Sequence, residues 1–251
     1  MQTAAVKDAF ESFIAQERER IARFTSEPPR PAFCDYHAGM FADEKQAPHA
    51  VMWANEVTCI HEAGHTVAFY VLGLGIGRGG IQICAEYNPG EATIASFGHT
   101  SRTTSQVRKV ASLTRRRAYA PVLAATAIAI AAGPAAERMY CLERKLPIRT
   151  LFSSESDHDG ISKIGKSVLD RSPYFRYALE TYAWRYAQLL MADSRIWPAV
   201  TDLAAWMSEY EPYQEEDTEH EHTSFENFSG ASIRAFLKRN HPAVRPGIFA
   251  A

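Results

Sequence analysis

The pattern that most constrains this chain is His61-Glu62-Ala63-Gly64-His65, set inside a run whose other residues, Val57, Ile60, Val67, Ala68 and Phe69, are apolar. Such a run reads as a buried helix that begins after Pro48 and stops near Gly73, a residue suited to the left-handed C-terminal conformation. Residues four apart share a helix face, so His61 and His65 converge, while Glu62 is turned from them by about 100°. Two histidines on a largely apolar helix require partners. A cation bound at ~2.0–2.1 Å from each imidazole would supply one, and a carboxylate one step round the helix reaches a water in an open metal position without ligating. The motif therefore predicts a zinc site with His61 and His65 as ligands and Glu62 as general base. Gly64 costs about 1 kcal/mol against alanine inside a helix, which predicts a close approach to the backbone there.

The rest of the chain predicts a mainly α fold (α+β) with a small β-hairpin beside the motif helix. Residues 5–24 carry Val6, Phe10, Phe13, Ile14, Ile21 and Phe24 at amphipathic helical spacing, closed by Pro28-Pro29-Arg30-Pro31. Residues 75–80 read as a glycine-rich turn. Residues 81–85 and 92–97 alternate like strands around the turn Asn88-Pro89-Gly90. Helical patterns follow over the alanine-rich 118–136, then 157–170, 174–192 and 196–210. The acidic stretch 210–222 reads as an exposed loop, and a last helix starts at the N-cap Ser229. The expected organisation is an N-terminal helical extension over 1–45 and one catalytic domain over 46–251.

Several function classes are disfavoured. A net charge of −2 gives no global attraction to nucleic acid, and Arg115-Arg116-Arg117 reads as a solvated helix face. No GxxxxGK[ST] string occurs, so no P-loop nucleotide site is encoded. The uncharged residues 118–136 contain Pro121 and Pro134 and are rich in alanine, which reads as a core helix and not a membrane span. Cys34, Cys59, Cys84 and Cys141 form no CxxC pair, and the N-terminal residues lack a secretory apolar core. Reduced thiols and a cytoplasmic setting are expected.

Zinc needs a third protein ligand. Three ordered stretches are similar to the peptidase domain of the FtsH family of metallopeptidases. These are His61 to His65 with its apolar helix, Ala132-Gly133-Pro134-Ala135-Ala136-Glu137 against that family's glycine and Ala-Ala-Glu segment, and Ser153-Ser154-Glu155-Ser156-Asp157-His158-Asp159 against its Ser/Asn-Asp pair. The resemblance spans roughly residues 50–169. It implies a zincin-like peptidase domain, a hairpin edge that an extended peptide could join, and an aspartate completing the zinc site. Ala-Gly-Pro stands where the family has Gly-Gly-Arg, and the AAA ATPase domain and membrane anchors are absent from this sequence. Without an unfoldase domain, flexible segments or unfolded chains are the expected substrates, unless a separate ATPase partner supplies them.

Asp157 is preferred as third ligand over Asp159, because Ile161, Ile164 and Val168 fall four, seven and eleven residues after it, on one helical face. Glu137 is expected to orient a histidine, with direct ligation as the alternative. His99 is a candidate cleft residue and Glu219-His220-Glu221-His222 a candidate second metal site, although solvated roles suit both better. The function expected is zinc-dependent endopeptidase action on peptides or unfolded proteins. A metal-binding regulatory protein and a zinc hydrolase of non-peptide amides remain alternatives, and the oligomeric state is not legible.

Overall fold

The computed structural model describes residues 47–88, 93–115, 121–144, 155–168, 173–209, 213–215 and 222–249. Expectations for the N-terminal helix, the proline run, Cys34, Arg116, Arg117, Ser153, Ser154 and residues 219–221 lie outside them.

Helix α1 (Ala47–Val71) carries the motif and is buried on nearly every side of its second half, from Val57 to Val71. A helix that is apolar all round belongs at the centre of a fold. It packs against strands β1 (Ile76–Asn88) and β2 (Thr93–Arg102) on one side and against helices α3 (Pro121–Arg144) and α6 (Ile196–Ser208) on others. Gly73, at φ 73°, follows its end. Helices α2 (Thr104–Arg115), α4 (Glu155–Val168) and α5 (Pro173–Met191) complete the helical part between the hairpin and α6. Helix α7 (Gly230–Asn240) starts where its N-cap predicts, with the Ser229 side chain accepting from the Ser232 N–H. The described part of the chain is thus mainly helical with one small antiparallel sheet.

Among the described residues that sheet has four strands in the order β2-β1-β4-β3, with β3 at Tyr213–Glu215 and β4 at His222–Phe228. Two sequence expectations need correction. The glycine-rich residues 75–80 are not a turn. Most of them belong to β1, whose register against β2 shifts between Ile76 and Ile81, the irregularity a bulge produces. The 210–222 stretch is not all loop, because β3 lies within it and β4 begins at its end. β4 pairs with β1 from Ile81↔Phe228 to Tyr87↔His222, so β1 is central and β2 is an edge.

Helix α3 is long and apolar enough to cross a membrane, yet 78% of its apolar window is buried inside the fold. It lies beside α1 at very short range. A Cβ on Gly64 would fall 2.7 Å from both the Ala132 carbonyl oxygen and the Ala136 methyl, so the expected close approach is made by α3 itself. Helix α4 buries Ile161 and Ile164, at 0% and 5% exposure. Each such side chain contributes about 1.5–3 kcal/mol by leaving water, which seats α4 on α3 and α5 with Asp157 in its first turn.

Candidate metal centre

The site is built from three helices. His61 and His65 come from α1, Asp157 from α4, and α3 supplies the supporting groups. His61 Nε2 lies 3.0 Å from His65 Nε2 and 3.1 Å from Asp157 Oδ2, and His65 Nε2 lies 3.2 Å from the same oxygen. The three donors form a nearly equilateral triangle. Around a tetrahedral ion with bonds of ~2.0 Å, neighbouring ligand atoms stand roughly 3.3 Å apart, so the triangle has almost the size such a shell requires.

The opposite ring nitrogens fix which atoms face inward. His65 Nδ1 is 2.9 Å from the Ala129 carbonyl oxygen, which can only accept, so Nδ1 carries the hydrogen and Nε2 presents a lone pair. His61 Nδ1 donates to Glu137 Oε2 at 2.9 Å, with Glu137 1% exposed. Two imidazole lone pairs and a carboxylate oxygen therefore point at one place, where they repel one another unless a proton or a cation lies between them.

Gly133 keeps that place open. A Cβ there would stand 2.4 Å from His65 Nε2 and 2.8 Å from His61 Nε2, filling the position an ion would take. Among the described residues, His61, His65 and Asp157 are the one group of His, Cys, Asp or Glu donors close enough to hold a metal. All are shielded from solvent, at 7% and 6% exposure for the histidines and 17% for the Asp157 side chain.

Without a metal, the cluster holds charge. Burial opposes a proton on His61, but hydrogen bonds and attraction from Asp157 and Glu137 outweigh it and raise the pKa to about 10. Burial likewise opposes a charge on His65, and Asp157 again prevails, so His65 also titrates above its ordinary value. Burial would raise Asp157; the two histidines override it and hold the carboxyl well below the usual carboxylate range.

Glu62 points elsewhere, toward the sheet. Thr100 on β2 donates its hydroxyl hydrogen to Glu62 Oε2 at 2.6 Å, and Thr66 stands 3.1 Å from the Thr100 oxygen. Having given its own proton away, Thr100 accepts that of Thr66. Glu62 is 4% exposed, so its carboxylate is held in a defined place one helical step from the histidines.

The structure brings together Asp157, and not Asp159, with the two histidines; Asp159 is exposed. Glu137 lies behind His61 instead of beside the donor triangle. His99 is exposed, and the inward residue is its neighbour Thr100. Cys59 and Cys141 are both buried, and neither belongs to the donor group. Thr100, Ala129 and Gly133 were not singled out for these roles from the sequence. Strand alternation around Thr100 could have identified the first of them, but only once the register Ile81↔Thr100 is known. No protein family, curated protein or solved structure matches the chain.

Proposed function

We propose that this chain is a zinc-dependent metallopeptidase with a zincin-like active site, similar in its chemistry to the FtsH peptidase domain. The observation that carries this reading is the convergence of three lone-pair atoms, backed by N–H donation from both outer ring nitrogens, on a position kept free by Gly133. The donor set fits zinc, because two neutral imidazoles and one carboxylate leave a fourth position for water, the pattern of hydrolytic zinc sites. A zinc ion held by His61, His65 and Asp157 would act as a Lewis acid on water and on a carbonyl oxygen.

The chain's own residues do the rest. Glu137 and the Ala129 carbonyl hold the imidazoles in the tautomer that ligates. Glu62 takes a proton from the attacking water as the oxygen adds to the scissile carbonyl carbon, then delivers that proton to the amine nitrogen as the C–N bond breaks. Thr100, hydrogen-bonded to Oε2, leaves Oε1 of Glu62 to make this transfer. Strand β2 carries Thr100 and is an edge of the sheet, so an extended polypeptide could pair with it and lay a peptide bond across the site. Flexible or unfolded chains are the substrates this arrangement favours, delivered where necessary by a separate ATPase.

A buried glutamate one residue from His61, restrained by its own threonine, favours catalysis over metal-dependent binding alone. The test is cleavage of casein by the purified chain with and without a chelator, and by Glu62→Gln. Chelator-sensitive cleavage that disappears in Glu62→Gln while zinc is retained is expected. Cleavage at the wild-type rate by Glu62→Gln contradicts the mechanism, and zinc without cleavage of any peptide favours a binding role or a non-peptide amide substrate.

A further inference from the structure

Helix α5 runs through the interior with Leu179, Thr181, Tyr182 and Ala183 all at 3% exposure or less, and in their midst Glu180 is 0% exposed. An apolar residue would serve packing better at this position. Withdrawing a carboxylate from water costs several kcal/mol unless charge and hydrogen bonds compensate, so Glu180 must do something an apolar side chain does not. Its Oε1 lies 3.4 Å from Nε2 of His158. His158 is the residue next to Asp157.

This adjacency matters because of where Asp157 sits. Asp157 belongs to the first turn of α4, as the third residue of the helix, and its Oδ2 must meet two imidazoles that come from a different helix. Metal bonds tolerate displacements of only about 0.2 Å. Ile161 and Ile164 fix the body of α4 against its neighbours, but they lie one and two turns beyond the ligand. The approach of His158 to α5 is made from the first turn itself. The packed interior of α5 fixes Glu180, whose carboxylate stands within ion-pair distance of the His158 ring, one residue from the carboxylate that meets the histidines.

We propose that Glu180 is a positioning residue for the metal centre, acting through His158 to place Asp157. This rests on the metal-site reading above. The experiment is Zn²⁺ titration of the full chain against a competing chelator, for wild type, Glu180→Gln, His158→Asn and the double variant, with helix content of the metal-free proteins followed by circular dichroism. Each single substitution is expected to weaken zinc binding about 10–100-fold, the range for groups that orient a ligand, with helix content unchanged. The double variant is expected to bind no more weakly than the weaker single variant, because both substitutions cut one connection.

Zinc binding by Glu180→Gln within about twofold of wild type overturns the proposal. Losses that multiply in the double variant also overturn it, by showing that Glu180 acts through its charge and not through His158. Should Glu180→Gln fail to fold, His158→Asn alone decides, since that side chain is 22% exposed and tolerates change: undiminished affinity refutes the connection and a 10–100-fold loss supports it. Absence of zinc binding by the wild type would instead remove the metal-site reading itself.

Discussion

Replacing Gly133 by alanine sets helix stability against metal binding. In a helix interior, alanine is favoured over glycine by about 1 kcal/mol. The added methyl, however, would stand 2.4 Å from His65 Nε2, 2.5 Å from His65 Cε1 and 2.8 Å from His61 Nε2. Ordinary contact begins at 3.4 Å, so the His65 ring must retreat by about 1 Å, and the neighbouring imidazole by somewhat less. Overpacking of this kind costs about 1–3 kcal/mol, which the helix preference partly offsets. Metal-free stability should therefore change by no more than about 2 kcal/mol. The metal has no such latitude, because a 1 Å retreat is about five times what a zinc–nitrogen bond tolerates. Zinc affinity of Gly133→Ala should fall by at least about 100-fold, two ligands being displaced at once. Chelator-competition titration measures the affinity, and thermal denaturation of the metal-free proteins measures the stability. A variant that binds zinc like the wild type would refute the placement of the ion between the two Nε2 atoms and Asp157.

The pKa directions set the pH dependence of metal uptake. His61 keeps a proton up to about pH 10 in the metal-free protein, and a ligating imidazole must be neutral, so binding expels at least one proton and weakens as pH falls. Zinc affinity should rise about tenfold per pH unit from pH 6 to 8 for each proton displaced, with acidification of a weakly buffered solution on adding zinc; a flat profile would contradict this. Thr100→Val removes the hydroxyl that holds Glu62 without touching a ligand. Casein cleavage should drop by about tenfold with zinc affinity unchanged, and an unaltered rate would mean that the threonine does not position the base.

What could be read from the sequence was mostly local. His61, Glu62 and His65 lie within two helical turns, so their spacing alone sets their directions, and Ser229 announces the start of α7 by its own capping bond. Asp157 was legible at longer range because Ile161 and Ile164 mark the buried face of its helix. Strand β4 was not legible, since His222-Thr223-Ser224-Phe225-Glu226-Asn227-Phe228 is largely polar, borders an acidic run and gains its partner from β1, far back in the chain. The bulged start of β1 looked like a turn because four glycines crowd residues 75–80. Thr100, Ala129 and Gly133 escaped for a related reason. Their parts depend on strand register and on how closely α3 approaches α1, and neither is written in a local pattern. Glu137 stands between these cases, because its place four residues after Gly133 sets it one helical turn along α3 on the same side of the helix.

The central claim, that His61, His65 and Asp157 together hold one zinc ion, is tested most directly by elemental analysis of the purified full chain and of Asp157→Ala after dialysis against metal-free buffer. About one zinc per wild-type chain is predicted, falling to a small fraction of that in the variant, since one of only three protein ligands is gone. A wild-type chain without metal, or a variant that retains as much zinc as the wild type, would contradict it.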